Sequence, residues 1–192
     1  MGDVFAASGL KKRTSENGRL DWSLIKVAEG RMGTNILPDR SAWEKIPIRT
    51  YSPPFLTFGR QLEPQNETVS LTNQAQCREG FKYGTTTGPA KGQFHWYKTD
   101  VQFNDDQHVS DDPVSSEYLF QMKRGGRDEP FAGSIVYHEW GYVLGLMSRG
   151  LRPQRAAGFH VYVTPIEHVF QHIKESSTGK IVDIRIAQTQ SA

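Results

Sequence analysis

The chain has 192 residues, enough for one ordinary domain or for one compact domain with an extended arm, and it is a tight fit for two. With 23 Lys+Arg against 21 Asp+Glu the net charge is +2, and 36% hydrophobic with 23% charged residues describes a globular chain rather than a disordered or membrane one. A dedicated nucleic-acid binder carries a stronger basic excess, so nucleic acid is not an expected partner.

The single cysteine, Cys77, excludes an internal disulfide and a cysteine-based zinc cluster and fits a reducing compartment. No run approaches the roughly 18 apolar residues of a membrane span, and the first seven residues carry no basic leader. The expectation is a soluble, intracellular, cytoplasmic protein with no membrane partner.

In chain order, Lys11-Lys12-Arg13 reads as a solvated basic turn. A first strand is predicted over 21–27. The stretch 30–78 contains Pro38, Pro47, Pro53, Pro54 and Pro64 with little alternation. Prolines at that density fix φ and remove donors, so 30–78 is expected to be an ordered surface connector anchored by Trp43 and Phe55. Short β-type runs then recur between glycine and polar turns, over 80–83, 92–103, 116–122, 134–138, 142–147, 158–163 and 180–186. This is an all-β pattern, and the 18 glycines suit the bends and bulges of a small barrel. One helix interrupts it. Thr164, Pro165 and Glu167 have the spacing of a capping box with proline at the first helical position, and Ile166, Val169, Phe170 and Ile173 share one face. That face is expected to pack on the barrel, and Gly179 lies just past the helix end.

Five segments carry a resemblance. They are Leu20-Asp21-Trp22-Ser23-Leu24-Ile25, Phe81-Lys82-Tyr83-Gly84-Thr85-Thr86-Thr87-Gly88, Phe131-Ala132-Gly133-Ser134-Ile135-Val136, Gly141-Tyr142-Val143-Leu144-Gly145-Leu146-Met147, and Phe159-His160-Val161-Tyr162-Val163-Thr164-Pro165-Ile166-Glu167. In this order, over most of the chain, the sequence resembles the trypsin-like (chymotrypsin-fold) serine peptidases, most closely their intracellular fungal branch. The second segment is similar to that family's Lys-x-Gly-Arg-Thr-Thr-Gly turn, with Thr85 replacing arginine. The resemblance implies a mainly β protein. Residues 1–29 would be a remnant of a first barrel and 30–78 the connector. Residues 79–192 would form a six-stranded Greek-key barrel of the chymotrypsin type with a C-terminal helix.

The departures from the family bear on function. Such a peptidase needs a hydroxyl nucleophile, a histidine base, an aspartate to orient it, and N–H groups aimed at the oxyanion. The resemblance puts the aspartate at Asp21, but the expected histidine upstream of it is missing, since the first histidine is His95. At the nucleophile position stands Ala132, whose methyl group can neither attack nor lose a proton. Phe131 replaces a bracing aspartate. Pro130, which has no N–H, replaces the glycine that supplies one oxyanion donor. No catalytic constellation is intact: Asp21 and Ala132 are vestigial positions, and 130–133, closing with Gly133, is a degenerate oxyanion loop.

The expected function is therefore that of a pseudo-peptidase. Its old cleft, beside Met147, Ser148, Arg149, Gly150 and His160, would bind a peptide, protein or small molecule. A second copy or partner chain would cover the incomplete first barrel. The alternative is a retasked cyclase, isomerase or hydrolase working in that cleft by orientation and acid–base chemistry. A third reading is a fragment or inactivated form of a working peptidase. No cofactor or metal is called for.

Other groupings favour plain structural roles. Ser134 is a strand-entry residue rather than a substitute nucleophile, and His138-Glu139 an exposed hairpin pair. The loop 104–113, with four aspartates and His108, is a solvated acidic turn lacking the ligand spacing of a calcium loop. His168 and His172, four apart on the helix, project away from its apolar face and are expected in solvent. Lys123, Arg124 and Arg127, with Arg149, Arg152 and Arg155, could rim the cleft with positive charge, although solvated surface charge is the simpler account.

Overall fold

The computed structural model describes residues 3–9, 11–27, 36–37, 39–41, 71, 79–84, 88–102, 114–123, 133–151 and 158–184. Two short strands come first, β1 (Asp3–Ala7) and β2 (Ser23–Lys26). Six more follow: β3 (Glu79–Gly84), β4 (Gly88–Gln102), β5 (Val114–Lys123), β6 (Ile135–Tyr137), β7 (Val143–Leu151) and β8 (Gly158–Pro165). Helix α1 (Ile166–Ser176) ends the order.

The fold is mainly β, as the alternation predicts. Strands β3 to β8 form a closed antiparallel barrel in the order β3-β4-β5-β8-β7-β6, with β6 returning to pair with β3. Within it β6, β3, β4 and β5 stand in the 4-1-2-3 arrangement of a Greek key. The barrel is filled by Phe120 and Met122 from β5, Phe159, Val161 and Val163 from β8, and Ala90, Val136, Leu144 and Met147 from their neighbours, joined by Leu71. The period of two in 120/122 and 159/161/163 is the inward half of each strand. Glycine matters where backbones approach closely. A Cβ at Gly145 would lie 2.5 Å from the Thr164 carbonyl oxygen, and one at Gly92 would lie 2.5 Å from that of Gln121.

A second apolar layer lies outside the barrel. Phe81, Tyr137 and Val143 face outward from β3, β6 and β7 and meet Ile166, Val169 and Ile173 of α1 together with Leu20, Trp22 and Leu37. Phe170 is partly buried on the same cluster, so the predicted helix face is the observed one. The β1–β2 ribbon adds Ala6 and Leu24 to this layer, while Val4, Phe5, Ile25 and Val27 remain 51–66% exposed.

Four local expectations need correction. The capping box does not form: Pro165 is the N-cap residue, with no side-chain cap. Thr164 is still paired within β8, and its hydroxyl instead donates to the Arg19 carbonyl at 2.8 Å, a tertiary partner that outcompetes the local one. Residues 180–184 of the last predicted strand are not extended into a sheet, although Ile181 and Ile184 pack partly buried on the helix layer. Strand β1 lies where the sequence reading placed none. Arg13 is half-buried and bridged to Arg19, whereas Lys11 and Lys12 are exposed as expected. Most of 30–78, with Trp43 and Phe55, lies outside the described residues, as do Cys77 and the loop 104–113.

Candidate functional site

Strands β7 and β8 carry the sequence-predicted cleft residues. Met147 pairs with Val163 and Arg149 with Tyr162, so Ser148 is the extra residue of a bulge. The bulge turns Ser148 into the structure, where its hydroxyl donates to the Tyr162 carbonyl at 3.2 Å. Met147 is buried in the barrel core, Arg149 is exposed and Gly150 is half-buried. Gly150 and Leu151 then pair with Val161 and His160, which brings His160 alongside the end of this wall.

The loop before β6 is fastened to the same bulge. Gly133, at φ +86, donates its N–H to the Met147 carbonyl at 2.7 Å, and Met147 returns its N–H to the Ser134 carbonyl at 2.9 Å. A φ of that sign suits glycine and strains other residues. Ser134 is thus a strand-entry residue. The fold joins Gly133, Met147, Ser148, Arg149, Gly150 and His160 through adjacent backbone. Pro130, Phe131 and Ala132 lie outside the described residues, as do Arg124, Arg127, Arg152 and Arg155.

Asp21 is held by a different element. It is exposed between buried Leu20 and Trp22. Ser8 ties this stretch down: its backbone N–H donates to the Trp22 carbonyl at 3.0 Å, and the Trp22 N–H donates to its Oγ at 3.1 Å. The neighbouring histidine contact belongs to Trp22, whose indole N–H donates to His172 Nδ1 at 3.2 Å. Among the described residues no Asp–His pair forms at Asp21.

The remaining histidines depart from their expected exposure. His172 is half-buried by the Trp22 contact, its ring edge-on at 5.6 Å. His168 is also half-buried, close enough to Glu16 to help hold that carboxyl below its usual range, a shift due first to the hydrogen bond from Lys98. His138 is buried rather than exposed, under Trp140 at 4.8 Å, because the β6–β7 turn folds back on itself. Burial draws its pKa down.

Two groups escaped the sequence reading. Glu117 is buried on the outer face of β5, where its Oε1 accepts the Arg19 N–H at 2.8 Å. Burial raises its carboxyl pKa, opposed by nearby hydrogen bonds and by Arg13 and Arg19. The signal was available: one acid interrupts the otherwise uncharged run 114–122. The second is His95, on β4, whose ring lies 6.3 Å from that of His160. Burial and then His95 draw the His160 pKa down.

Among the described residues no three His, Cys, Asp or Glu side chains are grouped to hold a metal ion, and no helix is long and apolar enough to cross a membrane. Compared with known proteins, the chain matches no family model and no curated protein.

Proposed function

We propose that the chain is a non-catalytic relative of the trypsin-like peptidases and that the wall formed by β7 and β8 binds a peptide, protein or small-molecule ligand. One observation carries this reading. In a closed Greek-key barrel, Gly133 is stitched to Met147 at the head of the bulged Met147–Gly150 segment, with His160 on the paired strand. This arrangement supports reading the wall as one side of a peptidase-like cleft, in which the sequence resemblance puts Ala132, two residues after Pro130, at the nucleophile position. Exposed Arg149 gives the wall a cation for an acidic group. The exposed apolar face of the β1–β2 ribbon, Val4, Phe5, Ile25 and Val27, supports the second part of the reading, that another copy of the chain packs there.

The test has three arms. An active-site serine probe is expected to label neither the natural chain nor Ala132→Ser, because a restored hydroxyl still lacks its base and one oxyanion donor; labelling of the variant would sink the reading. A peptide library panned on the natural chain is expected to enrich acidic sequences that Arg149→Glu no longer retains. Equal retention by both proteins would remove this wall as the binding surface. Light scattering at micromolar concentration is expected to give a dimer that Phe5→Asp dissociates, and a monomer throughout would overturn the assembly.

A further inference from the structure

The outer face of β4, β5 and β8 gathers three side chains that the proposed ligand wall does not require as a set. Gln121 pairs directly with His160 across β5 and β8 and with Gln93 across β4 and β5. Beyond Gln93 the β4 register slips between Phe94 and Lys98, and His95 falls within that irregularity. A bulge re-aims its side chain. Here it brings His95 Nε2 to 3.4 Å from Gln121 Oε1 and sets its ring edge-on to His160. His95 is exposed and His160 half-buried, so the face is open to solvent on one side.

Neutral imidazole suits zinc, nickel and copper, and an amide carbonyl can complete an open coordination shell together with water. All three donors stand on strands of a closed barrel, which holds them near one another before any ion arrives. We propose that His95 and His160, with the Gln121 carbonyl between them, form an open chelate for a divalent transition ion such as Zn2+ or Ni2+. The residues come from three different strands, so no local histidine spacing announces the site. The chelate does not depend on the peptidase-like reading: a chain that binds no peptide would still take the ion.

The experiment is calorimetric titration of the full chain with Ni2+ and with Zn2+, alongside melting curves with and without each ion. The natural chain is expected to bind and to gain thermal stability with ion concentration. His95→Ala and His160→Ala are each expected to weaken binding at least as much as the roughly 10- to 100-fold lost with outer-shell partners of metal sites. Gln121→Leu is expected to weaken it less. Controls are His168→Ala, His172→Ala and Cys77→Ser, which should bind as the natural chain does. Because His95 is exposed, its alanine variant is expected to melt without metal like the natural chain, so lost binding is read apart from lost folding. Failure of the natural chain to bind, or equal binding by the His95→Ala/His160→Ala double variant, would overturn the site.

Discussion

In the barrel each strand is paired on both sides, and Phe120, Val136, Val161 and Val163 are fully shut away from water. In the β1–β2 layer each strand has one partner among the described residues, and Val4, Phe5 and Ile25 stay more than half exposed. Antiparallel pairing gives a sealed core in one region and an open ribbon in the other. An isolated two-stranded ribbon is marginal in water, so this one depends on what it leans against. Its anchors are Leu20, Trp22, Ala6 and Leu24 on the helix layer and the polar seam to the barrel. In that seam Arg19 is gripped from both sides by Glu117 and Thr164, and Asn17 accepts the Ser116 N–H at 3.0 Å.

The comparison predicts graded responses. Phe120→Ala, which empties the barrel centre, is expected to cost about 3–5 kcal/mol in denaturant unfolding. Gly145→Ala is expected to cost about 1–3 kcal/mol, because the Thr164 carbonyl it would press upon is backbone and cannot swing aside. Thr164→Val should cost about 1 kcal/mol and act mainly on the seam: hydrogen exchange is expected to rise in the β1–β2 ribbon while the barrel amides stay protected. If barrel and ribbon exchange together in the natural chain, the two regions are one cooperative unit and the contrast fails. Ile25→Thr, at an exposed position, is expected to change stability by no more than about 0.5 kcal/mol in the monomer.

Glu117 adds a pH arm to the same comparison. Its carboxyl pKa is raised in the folded chain, chiefly by burial, so the folded state holds the proton more tightly than the unfolded state does. Its contribution to stability therefore falls as pH rises from the ordinary carboxylate range through the raised folded value. Glu117→Gln keeps an acceptor for the Arg19 N–H and removes the ionisation. It is expected to flatten that part of the stability profile, measured by melting across pH 4 to 8. An unchanged slope would show that Glu117 is not its source.

Much of this architecture was legible in the residues. Seven predicted strands and the helix face rest on periodicity, and periodicity survives folding wherever one face of an element is buried and the other is not. Each of the seven strand predictions other than 180–186 overlaps an observed strand. The misses have particular causes. β1 is short, and its Val4 and Phe5 point to solvent, so no buried face marks it. The turn at Thr14–Gly18 is a three-residue loop in which Thr14 accepts the Asn17 N–H at 3.0 Å and Asn17 sits at φ 62, so the adjacent Asn17-Gly18 pair does not form the two-residue turn such a dipeptide favours. His138 looked like a turn residue and is buried because Trp140 closes over it. Of the site, the order Met147-Ser148-Arg149-Gly150 and its later partner His160 could be read from the chain. The bulge at Ser148 could not, because a bulge is a disagreement between two strands and exists only once they pair.

The sequence by itself determined a mainly β chain with one amphipathic helix, an alanine at 132 and a proline at 130, because composition, period and the lack of a hydroxyl or an N–H are properties of single residues and near neighbours. Only the tertiary structure decided which strands close the barrel, which hydroxyl Thr164 satisfies, where Glu117 is buried and which two histidines meet. Each of those is a pairing between distant parts of the chain, settled by where burial leaves a polar group its best partner.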